Sequence, residues 1–220
     1  MSETSIVRGY LPGSLGRIVE MHGAFYHRHA GLGLFFEATV ARQLAEFLGR
    51  YDPERDAVWL VVANGRVEGS IVIDGLSAHS AGARLRWFFV SEQFRGTGLG
   101  KALLGTALDF CREKRYERVY LWTVGGLAAS RHLYEKSGFE LTHQATHDDW
   151  GSMLNEQRFE LHIPVPREQS VQTRRRGAHV ITEVARRAAA EYSLLLAFLL
   201  GALSVAASFG VWIWRPLFHF

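Results

Sequence analysis

Gly96, Gly98 and Gly100 alternate with Thr97 and Leu99 directly after a strand-like run and directly before an apolar pattern of helical period. A chain with this order is committed to a strand, a tight glycine turn and a helix. Such a turn lines up backbone N–H groups at the positive end of the helix, which suits the diphosphate of a large anion. Glycine lets that backbone come close to the ligand. Two common phosphate-binding turns are excluded by spacing. A P-loop needs a glycine five residues before the Gly100-Lys101 pair and a hydroxyl residue after it, but those positions hold Arg95 and Ala102. The dinucleotide fingerprint would put its third glycine on Lys101 or Leu103.

Around this unit the periodicities predict a short strand at 6–10 and a helix over 14–28, on which Leu15, Ile18, Val19, His22 and Phe25 recur at helical spacing. A second helix is predicted over 35–49. The β-branched runs 57–63 and 67–73 flank Asn64-Gly65, the strongest hairpin signal in the chain. A loop over 76–82 leads to a strand at 84–90, the glycine turn and a helix over 99–114. A strand at 119–124, a helix over 128–136 stopped by Gly138, and strands at 139–144 and 153–163 complete the series.

The glycine turn, together with Leu133-Tyr134-Glu135-Lys136-Ser137-Gly138-Phe139 about thirty residues later, resembles the GNAT acyltransferases over roughly residues 5–163. The resemblance implies a mixed α/β (α+β) fold with a mostly antiparallel central sheet flanked by helices, and acetyl-coenzyme A as cofactor. It further implies that a bulge near the end of the strand frees the backbone of Phe89 and Val90. Gln93, Phe94, Arg95, Gly96, Thr97, Gly98, Leu99, Gly100 and Lys101 would then surround the pyrophosphate and pantetheine. Tyr134 matches the family tyrosine that protonates the leaving thiolate. Where the family often has an asparagine, seven residues before Tyr134, this chain has Leu127.

The general base is open on sequence alone. The strand before the turn offers Arg84 and Arg86 rather than a glutamate, so the candidates are His22, Glu156 or a water chain. His22, Tyr26, His27 and His29 gather near the end of the first helix, where the family binds the acyl acceptor, and their spacing does not suggest a metal site. The lone cysteine, Cys111, falls in an apolar helical pattern and reads as a small buried residue. The segments 9–17, 84–88, 120–123 and 156–159 resemble the acetyltransferase halves fused to winged-helix regulators of the MarR type. With only eight residues before Gly9, the DNA-binding half is not expected here, and no basic, aromatic-interleaved face suggests nucleic acid.

Pro164 and Pro166 break the pattern, and a polar linker is expected over 164–178, followed by a basic helix over 179–191. Residues 192–214 then carry no charge, a length that at about 1.5 Å per residue crosses a hydrocarbon core of roughly 30 Å. They are expected to form a transmembrane helix with a short tail at 215–220. Arg174, Arg175, Arg176, Arg186 and Arg187 precede it and only Arg215 follows, which orients the N-terminal domain to the cytoplasmic side of the inner membrane. Ala202, Ala206 and Gly210 share one face of that helix, a surface on which a partner subunit or a second copy could pack. The reading is a membrane-tethered N-acyltransferase that moves acetyl to a primary amine by direct attack. Its rival is a domain of the same fold serving as an accessory subunit of a membrane complex.

Overall fold

The computed structural model describes residues 4–147 and 153–164. The elements run β1 (Thr4–Arg8), α1 (Ser14–Ala30), α2 (Leu34–Gly49), β2 (Ala57–Ala63), β3 (Arg66–Asp74), β4 (Ala83–Val90), α3 (Leu99–Glu113), β5 (Arg118–Val124), α4 (Ala128–Lys136), β6 (Glu140–His147) and β7 (Leu154–His162). A single 3-10 turn at Glu92–Phe94, which periodicity did not predict, leads into the glycine loop. The strands form one seven-stranded sheet in the order β1-β2-β3-β4-β5-β7-β6. Every pairing is antiparallel except that of β4 with β5, as the mostly antiparallel expectation requires.

Local chemistry accounts for the joints. Asn64 and Gly65 both take positive φ, 52° and 72°, the pair of values that a type I′ hairpin demands. α1 stops at Gly31, whose φ of 67° lets the Leu32 N–H turn back to the Tyr26 carbonyl. Both faces of the sheet are covered. Trp59, Val61, Ile71, Leu85 and Leu121 pack on one face against Leu103, Leu104 and Phe110 of α3, while Val58, Leu60, Val72 and Trp87 pack on the other against α1 and α2. With neither face wet, the central strands read as nearly unbroken apolar runs.

The sheet is irregular at one place, and it opens there. Ser70 pairs with Phe89 but Val72 pairs with Arg86, so Ile71 faces two residues of β4, Trp87 and Phe88. Trp87 absorbs the extra residue at φ 45°, an expensive conformation for a bulky side chain. Three contacts hold it there: the Ser70 hydroxyl donates to its carbonyl at 2.6 Å, the Arg86 guanidinium lies 4.0 Å over its ring, and Phe47 packs 5.6 Å away. Beyond the bulge the faces change over. Trp87 and Phe89 point toward α1 and α2, and Phe88 toward α3. On its other side β4 pairs with β5 only from Ala83 to Leu85, so the two strands part just where the bulge begins.

The expected boundaries shift at the ends. β1 lies two residues earlier than 6–10, because Gly9 at φ 105° turns the chain there and donates to the Val58 carbonyl. β6 continues to His147, past the expected stop at 144, because its polar residues sit on an edge strand whose register with β7 supplies the pattern that its own sequence lacks. The linker, the basic helix, the transmembrane helix at 192–214 and its face of Ala202, Ala206 and Gly210 lie outside the described residues. Among the described residues no helix is long and apolar enough to cross a membrane.

Ser70 is fully buried, and its hydroxyl is the one side-chain donor to the bulge carbonyl among the described residues. Ser70→Ala is expected to lower unfolding stability by about 1–2 kcal/mol. The change should appear as a lower urea midpoint at unchanged slope; an unaltered midpoint would remove the hydroxyl from its holding role.

Candidate functional site

Where β4 and β5 part, two hollows open toward each other. The larger, about 530 Å³, runs between the loop 94–98, the start of α3 and the start of α4. Of the residues assigned to the cofactor from sequence, Phe89, Val90, Phe94, Arg95, Gly96, Gly98, Gly100 and Lys101 line it, as does Leu127. Gln93, Thr97 and Leu99 do not. Gln93 borders a separate surface hollow beside Arg17 and Arg66, the Thr97 hydroxyl donates to the Phe94 carbonyl at 2.7 Å, and Leu99 packs on the core. Spacing alone could not tell these three from their neighbours, because the 3-10 turn and the loop rotate successive residues away from the hollow.

The loop itself is shaped by sequence. Gly96 and Gly98 take φ of 77° and 89°, and a side chain added at either would meet nothing within 4 Å. Conformation therefore selects glycine, and open space is left beside the backbone. Leu99, Gly100 and Lys101 open α3, where helical geometry leaves their N–H groups without partners inside the helix. Arg95 fixes the loop to α1: its Nε donates to the Val90 carbonyl at 3.2 Å, and its guanidinium stands 4.9 Å from the Phe25 ring and 5.7 Å from Phe89. A long, anionic ligand fits this combination of free amides, positive helix end and open backbone.

The smaller hollow, about 260 Å³, lies under α1 and α2 on the floor of β4, β5 and β7. His22, Gln43, Arg84, Arg86, Trp122 and Glu156 line it, so both catalytic candidates from the acceptor side are brought together here. Tyr26, Phe88, Thr123 and Tyr134 line both hollows and form the seam between them. Sequence reading gave no role to Thr123, Gln43 or the two arginines. The available signal was the i, i+2 spacing of Arg84 and Arg86, which puts both on one strand face.

Burial sets the protonation of the seam. Tyr134 is 6% exposed among Phe88, Phe139 and Phe159, and burial, then Tyr26, pushes its phenol far above the ordinary value. Tyr26 is pushed up to about 12 by burial, against a hydrogen bond with Thr123 and in the field of Glu156. Both phenols are therefore protonated at neutral pH. Burial lowers His22 to about 4, and its Nδ1 donates to the Ile18 carbonyl at 2.8 Å, so a neutral ring presents Nε2 as acceptor. A ring that weakly basic orients a hydrogen-bonded partner better than it removes a proton from one. His27 and His29 hold backbone carbonyls at 3.0 and 2.9 Å. Cys111 lies fully buried in the core, off both hollows, and burial pushes its thiol up to about 12. Two ligands, one anionic and long and one small and polar, can thus meet at two protonated phenols, the geometry of group transfer between them.

Residues 24–139 match the model of the family described as "Acetyltransferase (GNAT) family". Human N-acetyltransferase 8 is 26% identical over 136 residues, covering 59% of this chain and 60% of its own length. N-acetylaspartate synthetase of Danio rerio is 26% identical over 120 residues, covering 54% of this chain and 42% of its own. The uncharacterized N-acetyltransferase YjgM of Escherichia coli is 31% identical over 129 residues, covering 58% of this chain and 75% of its own. The chain thus spans about half the length of the first two. Two solved structures share the fold. An acetyltransferase of Streptococcus agalactiae superposes with a TM-score of 0.59 at 21% identity, covering 73% of this chain and 98% of its own. The yncA protein of Salmonella typhimurium, solved with its cofactor acetyl-CoA, does so with a TM-score of 0.59 at 20% identity, covering 75% of this chain and 96% of its own.

Unfolded, His22 takes its ordinary value of 6.5, while the folded chain keeps it neutral down to about 4. Between those pH values the unfolded state binds the extra proton, so stability falls as the pH drops through that window. The loss approaches about 3 kcal/mol. Urea midpoints at pH 7 and pH 4.5 should separate more for the wild type than for His22→Leu, and equal separations would refute the buried neutral ring.

Proposed function

Because the chain belongs to the acetyltransferase (GNAT) family, we propose that it moves acetyl from acetyl-CoA to a primary amine by direct attack in the seam between its two hollows. The observation that carries this reading is the placing of Tyr134, which faces both the glycine-loop cleft and the smaller polar hollow. Acetyl-CoA supplies an activated thioester. The chain supplies position and protons.

The free amides at the start of α3 and the loop glycines hold the diphosphate, and the opened edge of β4 at Phe89 and Val90 receives the extended arm between the parted strands. The thioester carbon then lies at the seam, and the amine approaches from the smaller hollow. Tyr134, kept protonated by burial, donates to the departing sulfur. A thiolate in the same apolar seam is destabilised by the same burial, which offsets the weak acidity of the phenol. Glu156, in the field of the Tyr26 hydroxyl, is the carboxylate to hold or deprotonate the incoming ammonium, directly or through water, with His22 as the neutral acceptor beside it. Transfer through Cys111 is disfavoured, since that thiol is buried away from the seam.

We further propose that residues 192–214 anchor the chain in the inner membrane with the catalytic domain on the cytoplasmic side, and that Ala202, Ala206 and Gly210 form a helix-packing face. We also propose kinship with the acetyltransferase halves of MarR-type fusions, on the likeness of segments 9–17, 84–88, 120–123 and 156–159.

Tyr134→Phe is expected to lower kcat about 100-fold while acetyl-CoA affinity stays within about threefold, read from thiol release and calorimetry. Undiminished turnover would take Tyr134 out of the reaction. For the anchor, the full chain should stay with membranes through an alkaline carbonate wash, and release into the supernatant would rule the anchor out.

A further inference from the structure

The wall of the smaller hollow formed by β4 carries more positive charge than the fold neutralises. Arg84 and Arg86 project from the same face of β4, and Arg50 reaches the same place from the end of α2. One carboxylate serves two of them: Asp74 meets Arg50 at 2.6 Å and Arg86 at 3.4 Å. Gln43 completes the partners of Arg86 with a short hydrogen bond. Among the described residues Arg84 has no carboxylate within ion-pair distance. Burial, then the neighbouring charge of Arg84, lowers Arg86 to about 10, which leaves it a cation at neutral pH but records the repulsion between the two. Two guanidinium groups thus share a single carboxylate and a third, Arg84, has none, with Arg84 and Arg86 lining a 260 Å³ hollow.

The seam fixes which end of an acceptor goes where. If the amine must meet the thioester at Tyr26, Phe88, Thr123 and Tyr134, it stands beside Phe88, and the rest of the molecule extends back along β4. Arg86 lies two residues before Phe88 and Arg84 four, roughly 7 and 13 Å along the strand. Both distances lie within the combined reach of a small molecule and a six-to-seven-atom side chain. The opposite wall, at Glu156, is acidic. The hollow is therefore polarised, with cations along β4 and a carboxylate on β7.

We propose that the acceptor is a small amino acid, whose ammonium sits at the seam and whose carboxylate is bound by Arg84 with Arg86 beside it. This rests on the acetyl-transfer reading above for the placing of the amine. A carboxylate matches the planar fork of a guanidinium and would supply the counter-charge that Asp74 alone does not. A simple alkylamine would leave the arginine end uncompensated.

The test uses the purified full chain with CoA present, the common L-α-amino acids and β-alanine, each against its carboxamide, which keeps the amine and removes the negative charge. Binding is read from the intrinsic fluorescence of the tryptophans, of which Trp87 and Trp122 line the hollow, and acetyl transfer from thiol release once acetyl-CoA is supplied. At least one acid should bind ten times or more tighter than its amide, and Arg84→Gln should bring the pair to within about threefold. Lys in place of Arg84 should restore part of the preference. Equal binding of acid and amide, saturable binding by no acid, or a preference that survives Arg84→Gln would each overturn the carboxylate site. Acid-selective binding without thiol release would leave the carboxylate site standing and refute acetyl transfer, whereas thiol release indifferent to the carboxyl group would do the reverse.

Discussion

One surplus residue in β4 governs the geometry of this domain. By seating Trp87 at positive φ, the sheet exchanges the faces of the strand in mid-course and separates β4 from β5 after three paired residues. Everything else follows from that separation. A regular ladder would close the gap between the strands with hydrogen bonds, and no extended ligand could enter between them. The unfavourable conformation is held by a buried serine hydroxyl, a guanidinium stacked on the indole, and a phenylalanine from α2. Strain and opening share a cause.

Much of the fold was legible because both periodicities are strong. The Asn64-Gly65 turn, the strands β2 and β3 that flank it, and α1 from Ser14 came directly from apolar spacing and turn chemistry. The edge strands were less legible. β6 is polar on an exposed edge and takes its register from β7, so its own residues carry little information. The site divided the same way. Backbone-determined features, the glycines of the loop and the start of α3, could be read because glycine at positive φ leaves a signature. Features that depend on distant strands meeting could not. Nothing local in Thr123, Gln43 or Arg84 says that they share a hollow with His22 and Glu156. The bulge hides from sequence for a further reason: a tryptophan at φ 45° defies the propensities by which such positions are recognised.

The two hollows differ in how they are made, and this bears on what can vary. At its loop end the larger is lined by Gly96, Gly98 and Gly100 and the start of α3, so the anion-binding chemistry there is carried by amides that most substitutions leave in place. The smaller is lined by side chains from α1, α2, β4, β5 and β7, so its chemistry changes when they are replaced. A constant donor cleft beside a changeable acceptor hollow is the arrangement expected of a fold whose members share one activated thioester and diverge in what they modify.

Cys111 lies in the last turn of α3 with its sulfur sealed in the core, and the sequence holds no second thiol. The molecule is thus silent toward alkylating reagents in its native state. A cysteine placed by design on the rim of either hollow would be its only reactive handle, so spin labels or fluorophores can be set there singly, without first removing a native residue.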